Sequence, residues 1–185
     1  MRQVNAEIMR PQLCSDAEIG AFCCFIRQGG EVDIAGLEGR VRQAKALVFL
    51  YVDRTLVGVA ALKQPGKNYR DKVFKAAGVS DNSATFGLEL GWVFVRPEHR
   101  GKHYSLVVSS AAIGQADGAP IFATTRTDNV NMNGTLEYLV FKKVGITWSS
   151  IDGEHKLVLY VLKPIKRTLA DANAQRRSVA GHTRS

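Results

Sequence analysis

Two periodicities of hydrophobic positions alternate along the chain and predict its helices and strands. Apolar residues recur every three to four positions over residues 15–27, which predicts an amphipathic helix with Ser15 as its N-cap. The pair Gly29-Gly30 is typical of a helix end. Further helices are predicted over residues 34–43, 68–77, 101–114 and 131–141.

Short runs rich in β-branched and aromatic residues separate these helices. Residues 46–52 and 55–62 flank the tight turn Asp53-Arg54 and predict a hairpin. Other strands are predicted over residues 4–9, 85–95, 121–127, 145–150 and 157–162. Since a hairpin precedes a β–α–β–α–β run, we expect an α/β fold with a mixed central sheet and helices on both faces.

The composition is that of a globular protein. With 185 residues, 45% of them hydrophobic, the chain is long enough for one domain with a core. We expect a single domain over residues 1–163 and a basic tail over residues 164–185. Because no apolar run approaches the ~20 residues of a membrane span and no apolar signal segment follows Met1, we expect a cytoplasmic protein without a membrane partner.

The net charge of +8 indicates an anionic partner, either a nucleic acid or a small ligand rich in phosphates. Much of this charge lies in the predicted tail. Residues 63–75 also carry five basic side chains against Asp71, and we expect them to form a solvated helix face. The three cysteines and four histidines show no metal-ligand spacing, so we expect no metal.

A possible anion site lies where the long predicted strand gives way to a helix. The strand ends near Val95, Pro97 turns the chain, and the helix is predicted to begin at about residues 100–102. The first turn of a helix exposes unpaired N–H groups at the positive end of its dipole. Gly101 would let a large anion approach, and Arg100 and Lys102 add positive charge. The alternative is an ordinary turn with a solvated basic edge.

Residues 93–105 resemble the acyl-CoA-binding motif of the GNAT N-acetyltransferases. That motif reads Arg/Gln-x-x-Gly-x-Gly/Ala and follows a strand. At its two later small positions this chain has His103 and Ser105, and His103 departs from the glycine that the family places against the diphosphate. Five residues match the approach to the motif: Val95, Pro97, Glu98, Arg100 and Gly101.

A second stretch, residues 128–145, resembles the Asn-x-x-Ala…Gly-Phe-x-x-x-Gly block of the same family. Asn129 follows the strand that, in the family, splays from its neighbour to admit the pantetheine arm. The family's frequent tyrosine, which protonates the leaving thiolate, falls at Leu136. Tyr104 and Tyr138 are near in sequence, but neither aligns with that position.

The resemblance implies an acyl-CoA-dependent N-acyltransferase that moves an acetyl group from acetyl-CoA to an amine, with no metal. It implies that backbone N–H groups bind the diphosphate and that the strand backbone near Val93 pairs with the arm and polarises the thioester carbonyl. Residues 63–75 could then contact an acidic acceptor or the CoA 3′-phosphate. The implied cofactor-binding residues are Val93, Val95, Arg100, Gly101, Lys102, His103, Tyr104, Ser105 and Asn129.

Glu89 is the candidate general base. A period of two along the strand places Glu89 on the face of Val93 and opposite Trp92. The resemblance adds that some family members carry a catalytic glutamate at this strand position. A structural ion pair is the alternative role for Glu89.

Three functions remain open from the sequence. The first is the acyltransferase, with an amine acceptor of unidentified class. The second is a GNAT-like protein that modifies or binds nucleic acid, suggested by the charge. The third is a non-catalytic scaffold, suggested by His103 and Leu136. The oligomeric state is open between monomer and homodimer.

Overall fold

A computed structural model describes residues 2–30, 34–150 and 153–163, so the predicted tail lies outside the described residues. The helices and strands of the described chain follow the predicted order. They are β1 (Val4–Met9), α1 (Asp16–Gly29), α2 (Leu37–Arg42), β2 (Ala46–Val52), β3 (Thr55–Lys63), α3 (Lys67–Ala76), β4 (Leu88–Val95), α4 (Tyr104–Ile113), β5 (Ile121–Arg126), α5 (Val130–Tyr138), β6 (Lys142–Ser149) and β7 (Lys156–Leu162).

The strands form one mixed sheet in the order β1-β2-β3-β4-β5-β7-β6. Its central neighbours β4 and β5 are parallel, whereas the pairs on either side of them are antiparallel. The parallel pair is short, with Leu88 opposite Ile121 and Glu89 opposite Phe122. Beyond Glu89 the two strands separate. The expected mixed sheet with a splayed parallel pair is confirmed.

Helices pack on both faces of the sheet through apolar side chains, as predicted. On one face Val108 of α4 and Leu136 of α5 pack against strand residues such as Leu90. On the other face α1 and α2 cover the β2–β4 side, and α3 covers the β5–β7 side around Phe74. Because these side chains leave water almost completely, their burial holds the two helical layers against the sheet.

Local signals account for the ends of α1. The Ser15 hydroxyl accepts a hydrogen bond from the Glu18 N–H, and the Glu18 carboxylate accepts one from the Ser15 N–H, which completes a capping box. Gly30 ends the helix in the left-handed region at φ +71°.

Several predicted boundaries were wrong for local backbone reasons. The helix α4 begins at Tyr104, later than predicted, because residues 97–99 form a 3₁₀ turn and His103 takes a left-handed φ of +57°. Residues 80–85 likewise form 3₁₀ turns, so β4 begins at Leu88. Left-handed Val140, at φ +60°, follows the end of α5 and leads directly into β6.

Gly145 provides a test of how β6 joins α3. It has φ +70°, and a β-carbon there would overlap the carbonyl oxygen of Ala77, which accepts the N–H of Ile146. We expect Gly145→Ala to lower the free energy of unfolding by about 3 kcal/mol or more, since the left-handed backbone costs about 1–2 kcal/mol and the overlap adds to it. Urea denaturation measures the loss.

The matched control is Gly118→Ala. Gly118 has a similar φ of +77°, but a β-carbon there would meet no atom within 4 Å. Gly118→Ala should lower the free energy of unfolding only by the cost of the left-handed backbone, about 1–2 kcal/mol. Equal losses in the two variants would contradict the proposed overlap.

Candidate active site

A β-bulge in β4 determines which side chains face each side of the sheet. In the pairing of β3 with β4, Ala61 lies opposite Gly91 and Val59 opposite Phe94, so β4 has one residue more than β3 in this interval. Trp92, inside the interval, has a left-handed φ of +52°. Such a conformation is unfavourable for a bulky residue and persists only where the surrounding structure imposes it.

The bulge overturns the prediction from a period of two. Val93 packs with Leu90 against the α4–α5 side of the sheet, whereas Trp92 packs on the α1–α2 side. Glu89 alternates with Leu90 and therefore shares the side of Trp92, not that of Val93. The extra residue reverses the alternation after Gly91, and a sequence pattern of period two cannot register it.

The separation of β4 from β5 leaves backbone groups directed into a gap. Arg96 N–H donates to the Val57 carbonyl on β3 at 2.9 Å. Since peptide groups of successive strand residues point to opposite sides, those of Val95 and Val93 point away from β3, towards β5. The β4–β5 pairing ends at Glu89, so these groups border the gap.

The turn before α4 presents a row of free amides. Leu106 and Val107 both donate to the carbonyl of His103, at 3.0 and 3.2 Å. None of the backbone N–H groups of residues 101–105 has a hydrogen-bond partner among the described residues. Gly101 has φ +76°, and a β-carbon there would meet nothing within 4 Å. The head of α4 is therefore an open set of donors at the positive end of a helix dipole.

The side chains around this turn leave it accessible. His103 is exposed and caps no amide of the helix, so its ring does not close the site. Lys102 is also exposed. The Thr135 hydroxyl on α5 donates its proton to the Asn131 carbonyl, so Ser105 is the donor in the 3.1 Å bond between the two hydroxyls and has no side-chain proton left for an anion. Tyr104 is partly buried against the core at the first position of α4.

Arg100 connects the turn to the gap. Its Nε donates to the Val95 carbonyl at 3.1 Å, and its guanidinium lies 5.9 Å from the centre of the Phe94 ring. The guanidinium is thus held at the end of β4, where it adds positive charge beside the free amides.

Glu89 is almost fully buried, and its two oxygens have different partners. Lys63, directly opposite on β3, donates from Nζ to Oε2 at 2.7 Å. The Tyr69 hydroxyl donates to Oε1 at 3.2 Å. The Glu89 side chain is 4% exposed and that of Lys63 is 18% exposed. Glu89 therefore forms the ion pair that was its alternative role, with Lys63 as the partner.

Tyr69 is 44% exposed as a residue, but its hydroxyl is turned into the sheet towards Glu89 and Thr124. Loss of water around this hydroxyl raises the pKa of Tyr69, and the negative charge of Glu89 raises it further. The phenol therefore keeps its proton and remains a donor to Glu89 at all ordinary pH values.

Lys63 was the residue that sequence reasoning placed wrongly, on a solvated helix face. It ends β3, and its ammonium lies 4.9 Å from the Trp92 ring centre and 5.4 Å from that of Tyr69. Its stem crosses Gly91, where a β-carbon would come within 2.8 Å of Lys63 Cδ. Sequence reasoning also passed over the role of Tyr69. The available signal was that Lys63 directly follows a continuous apolar run, residues 56–62, which predicts a strand buried on both faces.

The second resemblance block has mainly structural contacts. Asn129 is the N-cap of α5, and its Oδ1 accepts from the Met132 N–H at 3.1 Å. Leu136 is fully buried in the core and carries no proton to donate. Tyr138 is 75% exposed. A role of Asn129 towards a cofactor stays a prediction.

The described parts of the chain contain neither a candidate metal site nor a candidate membrane span. Within residues 2–30, 34–150 and 153–163, no three His, Cys, Asp or Glu side chains form a potential metal-binding group. Over the same ranges, no helix combines the length and apolarity needed to cross a bilayer.

Comparison with solved structures identifies the architecture. FeeM, an N-acyl amino acid synthase from uncultured soil microbes, matches with a TM-score of 0.67 at 11% identity, covering 94% of this chain and 99% of that one. A putative acetyltransferase from Salmonella typhimurium, solved with acetyl-CoA, matches with a TM-score of 0.62 at 16% identity, covering 91% and 99%. No protein-family model and no curated protein sequence matches the chain.

A third similar structure is the ribosomal-protein-S18-alanine N-acetyltransferase of Escherichia coli, with a TM-score of 0.60 at 10% identity, covering 91% of this chain and 99% of that one. The chain therefore has the GNAT fold, in agreement with the sequence resemblance. At these identities the likeness establishes the fold, while the reaction has to be argued from the site.

Tyr69→Phe tests whether the Tyr69 hydroxyl is buried and bonded to Glu89. The folded pKa of Tyr69 is raised above its ordinary value of 10.0, so the folded state holds this proton more tightly than the unfolded state. Below about pH 10 the phenol is protonated in both states, and we expect the wild type to be more stable than Tyr69→Phe by about 1 kcal/mol. Above about pH 10 this advantage should shrink as the unfolded phenol ionises.

Urea denaturation of both proteins between pH 7 and pH 11 measures this difference. Exposed Tyr138 provides the control, since Tyr138→Phe should change stability little at any of these pH values. A constant difference between wild type and Tyr69→Phe across pH 10 would contradict the buried hydroxyl.

Proposed function

We propose that this protein transfers an acyl group, an acetyl group in the simplest case, from acyl-CoA to an amine. The observation that carries the proposal is the row of free amides at residues 101–105, which opens beside the gap between β4 and β5. A site for an anion that continues into a cleft lined by strand backbone suits a long ligand with phosphates at one end.

The residues present fit CoA. The diphosphate would accept hydrogen bonds from the free amides of residues 101–105, with Arg100 and Lys102 adding charge. The open space at Gly101 favours close approach of a large anion. The peptide groups of Val93 and Val95 that border the gap would pair with the amides of the pantetheine arm, although the Val95 carbonyl already accepts from Arg100. Bound acyl-CoA supplies the activated acyl carbonyl and the thiol leaving group.

Glu89 is the proposed base for the acceptor amine. It is the last residue of β4 that pairs with β5, at the point where the gap begins. In the transfer, the amine nitrogen forms a bond to the acyl carbon, the carbon–sulfur bond breaks, and the amine loses a proton to Glu89 directly or through a water molecule. A backbone N–H near Val93 would polarise the carbonyl. Since Leu136 offers no proton, the leaving thiolate would take one from solvent.

The basic residues 63–75 do not support the alternative that this protein binds nucleic acid. Lys63 is paired with Glu89 inside the sheet, and Lys67 forms an ion pair with Asp71. Arg70 lies 3.9 Å from Asp71, with only 15% of its side chain exposed. These contacts remove part of the exposed positive charge that a phosphate backbone would need.

Gly101→Ala tests the cofactor site. We expect wild-type protein to bind acetyl-CoA saturably in isothermal titration and Gly101→Ala to bind at least tenfold more weakly, because a side chain at φ +76° disturbs the row of amides. Gly118→Ala is the matched control, since it has the same backbone strain and should keep wild-type affinity. Absence of saturable binding by wild type would overturn the proposal and favour the scaffold.

Glu89→Gln tests the base. With acceptor amines screened by release of free thiol, we expect the variant to lower kcat by about 10²-fold, a typical contribution of a general base, without changing acetyl-CoA affinity. Glu137→Gln, which removes a carboxylate bonded to Tyr160 on the other side of the sheet, is the control and should retain activity. Unchanged turnover by Glu89→Gln at neutral pH would show that Glu89 is not the base.

A further inference from the structure

We propose that Glu89, Tyr69 and Trp92 form a binding site for a primary alkylammonium group, which Lys63 fills in the free protein and the acceptor amine occupies during the reaction. The assignment of the acceptor rests on the proposed function, whereas the binding of an alkylammonium ion to these three side chains can be tested without acyl transfer.

The walls of this ammonium site have the chemistry that recognises an organic cation. The Glu89 carboxylate is nearly excluded from water and accepts hydrogen bonds on both oxygens, one from a cation and one from Tyr69. The faces of Trp92 and Tyr69 lie within the ~6 Å over which an aromatic ring attracts a cation. A carboxylate and two rings around one ammonium form a more selective site than a simple surface ion pair.

The backbone of β4 at Gly91 and the bulge makes room for the Lys63 side chain beside Glu89. The Lys63 stem passes over Gly91, and any β-carbon at this position would press against it. The bulge beside Gly91 turns Trp92 towards Glu89, where a regular strand would place it on the opposite side of the sheet. The glycine leaves room on β4 for a straight alkyl chain, and the bulge brings the Trp92 ring to the ammonium at the end of that chain.

The ammonium site is open to exchange. The Lys63 side chain is 18% exposed, Tyr69 is 44% exposed, and Trp92 is only partly buried. A lysine side chain has a flexible four-carbon stem, so it can turn out to solvent when another cation takes its place. Removal of Lys63 without a replacement would leave the Glu89 charge buried and unpaired, which is costly. An incoming ammonium avoids this cost.

The location connects the ammonium site to the reaction. Glu89 is where β4 leaves β5, so an ammonium bound to its carboxylate lies at the start of the gap. The acceptor would deliver its own proton to the carboxylate that recognises it. Because the present occupant is a straight alkyl chain, the favoured acceptor class is a primary amine on an unbranched chain, such as a lysine side chain or an aliphatic polyamine.

Lys63→Ala with n-propylammonium is the direct test, since the truncation removes three methylene groups and the ammonium. We expect propylammonium to raise the melting temperature of Lys63→Ala saturably and to bind it at least tenfold more tightly than wild type, where Lys63 fills the site. In a Trp148→Phe background, the remaining tryptophan fluorescence should change with the same midpoint, because Trp92 contacts the ligand.

Matched controls separate the ammonium site from general effects. The isosteric neutral n-propanol and equal concentrations of sodium chloride should leave Lys63→Ala unchanged. The double variant Lys63→Ala/Glu89→Gln should lose the propylammonium response, because the carboxylate is gone. A response that is equal for n-propanol and propylammonium, or that survives Glu89→Gln, would overturn the proposal.

Gly91→Ala is the second variant, because its added methyl group displaces the Lys63 stem but leaves the Glu89 carboxylate in place. The methyl group also blocks the path of a propyl chain, so the probe for this variant is methylammonium, which has no chain over residue 91 and should bind Gly91→Ala more tightly than wild type. Lack of saturable amine binding by both variants, or failure of both to fold with the amine present, would show that Lys63 is only a structural part of the sheet. If propylammonium binds as expected but acetyl-CoA does not, the ammonium site stands and the proposed acyl transfer fails.

Discussion

The site depends on the early separation of two parallel strands. β4 and β5 pair through only two residues, and beyond Glu89 their facing peptide groups lack ladder partners. Buried backbone groups must be satisfied, so this separation creates a demand for hydrogen bonds from a ligand or water. The free amides of residues 101–105 open beside the same gap. In the proposed function, one elongated ligand would satisfy both the separated strands and the start of α4.

The bulge at Trp92 makes that surface two-sided. By adding one residue, it lets Val93 pack on the α4–α5 side while Trp92 joins Glu89 on the side of α1–α3. A coenzyme bound at α4 and an amine bound at Glu89 would thus approach the gap from different sides. The strain at Trp92 is the backbone feature that allows this geometry, which agrees with the tendency of bulges to lie beside active sites.

Sequence patterns predicted most of the fold because they report local preferences and burial. Helix caps such as Ser15, the continuous apolar runs of β2 and β3, and the glycine at residue 101 are each readable from neighbouring residues. The bulge was not predicted, since a period of two assumes a regular strand. The Lys63–Glu89 pair was also missed. Because the helix α3 and a 3₁₀ turn separate β3 from β4 in the sequence, no short turn fixes which residues of the two strands lie opposite each other. The left-handed His103 likewise gave no signal, because a positive φ is uncommon for any single residue other than glycine.

The Lys63–Glu89 ion pair is a poor device for stability alone. Burying two charges costs several kcal/mol that their attraction only partly returns, and apolar residues of similar volume often serve a core as well or better. While Lys63 Nζ is bonded to Glu89 Oε2, the nitrogen of an acceptor cannot reach that oxygen. When a second ammonium replaces Lys63, the buried charge of Glu89 stays compensated. This second ammonium belongs to the acceptor, so it carries the proton that the acyl transfer must remove. The pair is therefore best understood as a resting state of an amine-binding site, in which the protein supplies its own stand-in for the acceptor.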